Sequence, residues 1–264
     1  MQIDLSGKRA VVSGSTLGIG FAIAKGLAGS GARVVLNGRS EASVSKARSE
    51  LLAAVPGAQV EGIAADLATA AGVKKFVGQV PETDILVNNL GIFEPKPFEE
   101  IADADWLRFF ETNVMSGVRL SRAYVPGMRK KDWGRIVFIS SESGLNIPVE
   151  MVHYGMTKTA QLAVSRGLAA TVAGTGITVN SVLPGPTRSE GVATLTATLA
   201  KEQGVSQAQV ENEFVAKYRP SSLIKRLATV DEVANMVVYV CSQQASATSG
   251  AALRVDGGVV ATIA

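Results

Sequence analysis

The feature that most constrains the fold of this chain is a regular alternation of short apolar runs with longer segments of helical periodicity. The apolar runs are rich in Val, Ile, Leu or Ala and show almost no alternation of polar with apolar positions. They are Arg9–Ser13, Arg33–Leu36, Val60–Ala64, Ile85–Val87, Arg135–Ile139, Thr178–Val182 and Ala251–Val255. Continuous apolar character is typical of strands that are covered on both faces, which indicates a parallel sheet.

Helix-length segments separate these runs, and they are Gly20–Gly29, Glu41–Ala54, Ala70–Gln79, Asp103–Lys130, Val152–Ala173 and Asp231–Ser242. This alternation predicts a right-handed, doubly wound α/β fold of the Rossmann type, with about seven parallel strands and helices on both faces. A length of 264 residues fits one such domain over residues 1–264. The segment Ser189–Lys225 interrupts the alternation before the last strand. Ligands of these folds bind beyond the carboxyl ends of the strands, so we expect this insertion to be a helical lid.

Composition excludes several classes of protein. Apolar residues make up 47% of the chain and charged residues 19%, which is typical of a folded protein with a large core. One cysteine, Cys241, excludes a disulfide framework, and with a single histidine we expect no metal site. A net charge of +3 with scattered basic residues indicates no nucleic-acid partner. No apolar stretch approaches about 18 residues and residues 1–8 lack a signal-peptide pattern, so we expect a cytoplasmic protein without a membrane segment.

A glycine-rich turn follows the first predicted strand and opens the first predicted helix. Its spacing, G-x-x-x-G-x-G, lets the backbone turn tightly and brings a pyrophosphate close to the free N–H groups of a helix N-terminus. An ordinary glycine-rich turn is the alternative, but the position between the first strand and the first helix favours a dinucleotide site. We therefore assign the following residues to cofactor binding: Gly14, Ser15, Thr16, Leu17, Gly18, Ile19 and Gly20.

Six motifs, in the same order along the chain, resemble those of the short-chain dehydrogenase/reductase family. After the glycine turn, Asn88-Asn89-Leu90-Gly91 is similar to the family's N-N-A-G, and Tyr154 with Lys158 is similar to its Y-x-x-x-K. The other matching residues are Asn113, Ser141 and Pro184-Gly185. The resemblance runs from about Leu5 to Gly258 and is closest in overall pattern to the 3-oxoacyl-[acyl-carrier-protein] reductases.

This resemblance implies an NAD(P)-dependent oxidoreductase that moves a hydride between a nicotinamide and a small ketone or secondary alcohol. Tyr154 would be the general acid and base, and Lys158 would lower the pKa of Tyr154 and hold the nicotinamide ribose. Ser141 would hydrogen-bond the substrate oxygen, and Asn113 would hold a water that relays protons from Lys158. For chemistry near neutrality the pKa of Tyr154 would have to fall by roughly 2–3 units from its ordinary value near 10.

The resemblance also implies cofactor contacts outside the glycine turn. Asp66 and Leu67, after the third strand, would touch the adenine edge, and Thr187 or Ser189 would supply a hydroxyl to the nicotinamide carboxamide. The complete further set is Arg39, Asp66, Leu67, Asn89, Gly91, Tyr154, Lys158, Pro184, Gly185, Thr187 and Ser189.

The end of the second predicted strand bears on the choice between NAD and NADP. Members that prefer NAD place an acidic residue there for the adenine ribose hydroxyl. This chain has Gly38 at that position, followed by Arg39, whose planar guanidinium suits the 2′-phosphate of NADP. Arg39 as the start of a solvated loop is the alternative, and Leu17 stands where NADP-binding members often carry a basic residue. The pattern favours NADP(H) over NAD(H).

Three residues beside the motifs need separate interpretation. Ser140 would point to the opposite face from Ser141, because successive strand residues alternate. His153 would not share a helix face with Tyr154, so we expect it to be structural or exposed. Leu90 replaces the small residue of N-N-A-G and adds bulk close to the expected path of the cofactor.

Other functions and the state of assembly remain open at the level of sequence. A cofactor-sensing binding protein on the same fold would often lose the tyrosine or the lysine, and an epimerase or dehydratase would often carry an added C-terminal domain. Apolar helices and an apolar C-terminal tail predict a homotetramer, with a dimer as the alternative. Apolar residues of the insertion would favour a partly apolar ketone over a phosphorylated sugar, and they are Val192, Leu195, Leu199 and Phe214.

Overall fold

The computed structural model describes residues 2–263, apart from the exposure of Gly191 and the side chain of Leu195. All seven predicted strands are present, with bounds close to those expected. They are β1 (Arg9–Val12), β2 (Arg33–Gly38), β3 (Val60–Ala64), β4 (Ile85–Asn88), β5 (Gly134–Ile139), β6 (Ile177–Pro184) and, after a short pair named below, β9 (Ala252–Val255). The helices that separate them are α1 (Gly18–Gly29), α2 (Glu41–Ala54), α3 (Ala70–Gln79), α4 (Asp103–Phe110), α5 (Ser116–Lys131), α6 (Val152–Thr171) and α9 (Val230–Cys241).

The seven strands form one parallel sheet in the order β3-β2-β1-β4-β5-β6-β9, which confirms the doubly wound prediction. Alternate residues of each strand are buried against helices on opposite faces, and this explains why the strands read as continuous apolar runs. Val12, Leu36 and Val87 belong to one core cluster, and Val11, Val35 and Leu86 belong to the other. The chain winds outward in opposite directions from β1 and β4, so a crevice opens at their carboxyl ends.

The helix predicted over Asp103–Lys130 is present, but it is not α-helical throughout. A π-helical turn, Glu111–Met115, separates α4 from α5 and carries Asn113. Asn113 is 1% exposed, and its side chain donates to the Ile92 carbonyl and to Thr157 Oγ1, each at 3.0 Å. Its Oδ1 accepts from the Ile92 N–H at 2.8 Å. A π-turn inserts an extra residue into the helix, and such turns are frequent at functional sites.

The insertion is helical, as predicted, and consists of α7 (Glu190–Gln203) and α8 (Gln207–Tyr218). Its base is closed by two short parallel strands that the sequence did not reveal, β7 (Thr187–Arg188) and β8 (Ala228–Thr229). Glu211 of α8 is 3% exposed, pairs with Arg188 and accepts from Gln207 Nε2 at 3.3 Å. Thr196 of α7 also donates to Glu211 Oε1, at 3.4 Å, so Glu211 joins both helices of the insertion to β7.

The single cysteine and part of the apolar C-terminal tail are buried within the chain. Cys241 is fully buried in the core. Val259 and Val260 of the apolar tail are buried within the chain, whereas residues 261–263 are exposed and Ala264 lies outside the described residues. Within residues 2–263 no helix combines the length and apolar character needed to cross a membrane.

Candidate active site

The glycine turn between β1 and α1 has the geometry of an anion-binding loop. Gly14 and Gly18 both have φ of 59°, in the left-handed region that favours glycine. A Cβ on Gly20 would lie 2.4 Å from both Asn89 Nδ2 and the Gly14 carbonyl oxygen, so only glycine fits there. α1 begins at Gly18, two residues before the expected start, and no side chain caps its N-terminus at Leu17. Its first N–H groups are therefore available to a phosphate.

Two asparagines hold this turn in place. Asn37, at the end of β2, accepts from the Gly14 N–H through Oδ1 at 3.1 Å, and its own N–H donates to Ser15 Oγ at 2.9 Å. Asn89 Nδ2 donates to the carbonyls of Ser13 and Gly14 at 3.0 and 2.9 Å. Asn89 was expected near the cofactor, but the importance of Asn37 was missed. Its signal was a polar residue in an otherwise apolar strand.

A groove beside the turn lies where the adenosine half of a dinucleotide would bind. It is lined by Gly14, Thr16, Leu17, Asn37, Gly38, Arg39, Ala65, Asp66, Leu67 and Leu90. A Cβ on Gly38 would lie 2.6 Å from Thr16 Cγ2, so an acidic side chain at this position would require Thr16 to move. Arg39 is exposed at the groove, and Leu90 packs partly against the core beneath it. The residues fit an adenine ribose, with a cationic group nearby.

A second cavity, of about 250 Å³, opens at the carboxyl ends of the central strands. It brings together most of the remaining expected site residues, namely Ile19, Asn89, Gly91, Ser141, Tyr154, Lys158, Pro184, Gly185, Thr187 and Ser189. The insertion contributes Val192 and Phe214 to its wall, whereas Leu199 does not line it and the Leu195 side chain lies outside the described part of the chain. Phe93 and Met151 add further apolar surface.

Tyr154 and Lys158 lie one helical turn apart on α6, and both line this cavity. Lys158 Nζ is 5.5 Å from the centre of the Tyr154 ring. The same nitrogen donates to the Ile139 carbonyl at 2.9 Å and to Gln161 Oε1 at 3.2 Å. Burial lowers the pKa of Lys158 to about 7, although the nearby Glu142 opposes this shift.

The pKa of Tyr154 moves in the opposite direction from that expected from the sequence. Burial raises it to about 12, since the charged phenolate is penalised away from water, and the Glu142 carboxylate raises it further. A hydrogen bond with Ser141 and the charge of Arg219 oppose the shift. Burial and Glu142 therefore favour the protonated form of Tyr154.

Ser141 caps a short 3-10 turn, Glu142–Gly144, that follows β5. Its Oγ donates to Glu142 Oε2 at 2.5 Å, a contact that the sequence did not suggest. Ser140 instead donates to the Lys158 carbonyl at 2.8 Å. The two serines thus have separate partners, in line with the expectation that they face opposite sides.

Gln161 is a second residue that the sequence analysis missed. It is 1% exposed, and its Nε2 donates to the carbonyl of Asn113 at 2.6 Å while its Oε1 accepts from Lys158. The Gln161 side chain therefore bridges Lys158 to the main-chain carbonyl of Asn113. Its position one turn after Lys158 on α6 was the available signal.

His153 is structural rather than exposed. It is fully buried, and its ring packs against Phe109, with ring centres 4.0 Å apart, and against Trp106 at 6.0 Å. Both ring nitrogens lack a hydrogen-bond partner among residues 2–263. Burial lowers its pKa, so the neutral form is favoured. His153 faces α4, away from the cavity.

Comparisons with known proteins agree with this site. A family model described as enoyl-(acyl carrier protein) reductase matches residues 14–260. The chain is 46% identical over 263 residues to the Bacillus subtilis oxidoreductase YvaG, with 100% of each chain covered. It is 33% identical over 261 residues to D-beta-hydroxybutyrate dehydrogenase of Cupriavidus necator, covering 97% of this chain and 99% of the relative. L-Sorbose reductase from Gluconobacter frateurii, solved with NADPH and L-sorbose, has a TM-score of 0.93 at 35% identity, with 100% of both chains covered.

The similarity extends over nearly the whole chain, as the order of the motifs had implied. The matched region includes the parallel sheet, the glycine turn and the cavity, and the similar proteins are named as dehydrogenases and reductases. The chain therefore belongs to the short-chain dehydrogenase/reductase family, whose members are oxidoreductases that act on hydroxyl and keto groups.

Proposed function

We propose that the protein is an NADP(H)-dependent reductase of small ketones, working reversibly as a secondary-alcohol dehydrogenase. The observation that carries this proposal is the convergence of Tyr154, Ser141 and Lys158 on one cavity that continues toward the uncapped N-terminus of α1. NADPH in the related L-sorbose reductase supports a nicotinamide cofactor.

Each residue of the site has a separate role in the proposed ketone reduction. When bound, the reduced nicotinamide supplies a hydride to the carbonyl carbon. Tyr154 Oη donates its proton to the carbonyl oxygen, and Ser141 Oγ–H hydrogen-bonds the same oxygen as negative charge develops there. Lys158, held by Ile139 and Gln161, positions the ribose hydroxyls and resupplies the proton to Tyr154. Through its carbonyl, Asn113 holds Gln161 in place.

Reduction and oxidation require opposite protonation states of Tyr154. Reduction requires a protonated tyrosine at the start, and at neutral pH Tyr154 is protonated both at the ordinary pKa near 10 and at the raised one. Oxidation requires the phenolate, which the positive ring of an oxidised nicotinamide would stabilise.

A turnover assay with NADPH and a panel of ketones, including sugars, acyl thioesters and steroids, tests this function. The proposal requires NADPH oxidation that depends on the ketone. Tight NADPH binding without turnover of any ketone would instead indicate the sensing protein considered above.

The preference for NADPH is proposed to depend on Arg39. We expect Arg39→Ser to raise the Michaelis constant for NADPH by about tenfold, because one guanidinium–phosphate pair is lost, and to change that for NADH by less than about twofold. Steady-state kinetics with both cofactors measure this. Arg33→Ser, which removes an exposed arginine at the opposite end of β2, is the matched control. Equal changes with NADPH and NADH would contradict the assignment.

The insertion is proposed to close over the bound ligands. Val192 and Phe214 line the cavity, so closure would bring apolar surface over the hydride path and exclude water. We expect amide hydrogen exchange to slow across Ser189–Lys225 when NADPH and product are added, while exchange in α3 changes little. Unchanged exchange in the insertion with ligands bound would show that it is a static surface element.

Assembly into a homotetramer is proposed from the helices on one face of the sheet. Five apolar residues of the π-turn, α5 and α6 are only half-buried in the isolated chain, and they are Met115, Val118, Leu162, Val164 and Leu168. Sedimentation at micromolar concentration is expected to give about four times the chain mass of 27.4 kDa. Sedimentation as a dimer would contradict the tetramer but remain consistent with pairing of these helices. Sedimentation as a monomer would contradict both the tetramer and the helix pairing.

A further inference from the structure

Two charged side chains in the cavity wall have no part in the hydride and proton transfers described above. Glu142 directly follows Ser141, and Arg219 directly follows the last residue of α8. Their side chains are 5% and 13% exposed, and both line the cavity. Arg219 Nε donates to Glu142 Oε1 at 2.6 Å. A buried ion pair is costly to desolvate and adds little to stability, so its place beside the reacting residues calls for a functional explanation.

Glu142 holds the proton that Ser141 needs for its proposed role. The Oε2 atom of Glu142 accepts from Ser141 Oγ at 2.5 Å, from the Ser143 N–H at 2.6 Å and from Ser143 Oγ at 2.8 Å. A serine hydroxyl has one proton to donate. While Ser141 donates it to Glu142, Ser141 can accept from Tyr154 but cannot donate to a substrate carbonyl. A donor that takes the place of Ser141 at Glu142 would release this proton for the substrate, while the two donors of Ser143 stay on the carboxylate.

Arg219 brings a further donor group beside the same carboxylate, since its Nε binds Glu142 Oε1. Its Nη1 donates to the Tyr218 carbonyl at 2.7 Å and to Glu150 Oε1 at 3.3 Å. Its Nη2 has no hydrogen-bond partner in the described part of the chain. The pair therefore presents a carboxylate acceptor and a guanidinium donor side by side. A hydroxyl group, which both donates and accepts, matches this arrangement.

We propose that the Glu142–Arg219 pair binds a hydroxyl on the carbon next to the reacting carbonyl, which makes neutral α-hydroxy ketones the substrate class. The substrate hydroxyl donates to Glu142 Oε2 in place of Ser141, and its oxygen accepts from Arg219 Nη2. The Ser141 proton then turns to the carbonyl oxygen. Because Ser141 Oγ lies 2.5 Å from Glu142 Oε2, groups that bind these two atoms are neighbours, as a carbonyl and an adjacent hydroxyl are.

A carboxylate in the same position fits poorly. It has no proton to give to Glu142, and it would add a like charge beside that buried carboxylate. The charge of Arg219 is already shared between Glu142 and Glu150. An α-keto acid would therefore be discriminated against, although one relative is named for a hydroxy acid.

The inference rests on the proposed function and can be tested with three small ketones that differ at one carbon. Acetone carries a methyl group there, hydroxyacetone a hydroxymethyl group and pyruvate a carboxylate. With NADPH, we expect kcat/KM for hydroxyacetone to exceed that for acetone by about 10-fold to 100-fold, and that for pyruvate to fall below that for acetone. The gain should include kcat, because the hydroxyl frees the Ser141 proton for the transition state.

Substitutions at Glu142 and Arg219 test whether this pair causes the preference for hydroxyacetone over acetone. We expect Glu142→Gln to reduce the ratio of hydroxyacetone to acetone to within about threefold. The double variant Glu142→Gln with Arg219→Gln, which leaves no unpaired buried charge, should lose the preference in the same way if the single variant folds poorly. Glu150→Gln is the matched control, since Glu150 contacts Arg219 without touching Ser141, and it should keep the preference.

The outcomes separate this inference from the proposed function. If no ketone is reduced, the proposed function itself fails. If ketones are reduced but acetone and hydroxyacetone are equivalent, or pyruvate is preferred, the hydroxyl subsite is wrong and the reductase remains. A hydroxyl preference that survives in a folded, active Glu142→Gln variant would assign the subsite to other residues.

Discussion

Tyr154→Phe is expected to lower kcat for ketone reduction by about 100-fold to 10,000-fold while NADPH binding stays within about threefold of wild type. The substitution removes only the hydroxyl, so the proton donor is lost and the ring that packs near Lys158 is kept. Steady-state kinetics with hydroxyacetone and a fluorescence titration with NADPH measure the two effects separately.

The matched control for this substitution is Tyr239→Phe. Tyr239 lies on α9, packs against the opposite core cluster and is remote from the cavity wall. It should retain wild-type turnover. If Tyr154→Phe kept a tenth of the wild-type rate, which is a loss of only about 1.4 kcal/mol in the barrier, Tyr154 would not be the general acid.

Lys158→Met is expected to damage both turnover and cofactor binding. Turnover should fall by about 100-fold or more, because the proton supply to Tyr154 is lost, and NADPH should bind about tenfold more weakly, because a donor to the ribose is lost. The same two measurements report these effects. Lys130→Met, at the exposed end of α5, is the control and should change neither.

Lys158→Met should also differ from the wild type in how the free energy of unfolding depends on pH. Burial lowers the pKa of Lys158 from its ordinary 10.5 to about 7, so between these values the unfolded chain binds a proton that the folded chain has released. The free energy of unfolding of the wild type should therefore rise with pH in this window, by up to about 1.4 kcal/mol per pH unit, relative to Lys158→Met. Below about pH 7, the free energies of unfolding of the wild type and of Lys158→Met should change with pH in parallel.

Urea unfolding of the cofactor-free wild type and variant, from about pH 6 to about pH 9, measures this difference. The advantage of Lys158→Met over the wild type should be largest at the acidic end and should shrink toward the basic end. A constant difference across the range would mean that Lys158 keeps its proton in the folded protein.

The fold was largely predictable from local pattern. Strands covered on both faces read as apolar runs, and the helices between them carry their own periodicity, so seven parallel strands in a doubly wound sheet followed from the sequence. The failures came where a tertiary contact overrides the local signal. The π-turn places Asn113 where its side chain bonds Ile92 and Thr157, which lie in other parts of the chain. The pair β7–β8 joins residues about forty positions apart and is only two residues long.

For the site, the sequence by itself determined which residues could meet: the glycine turn, Ser141, Tyr154 and Lys158 follow or precede strands whose carboxyl ends share one edge. Only the tertiary structure decided what surrounds them. Glu142 and Arg219 are 77 positions apart, and no periodicity or short spacing connects them. The direction of the Tyr154 pKa shift was likewise decided by burial, because the cost of desolvating a phenolate depends on how completely the folded chain excludes water around it.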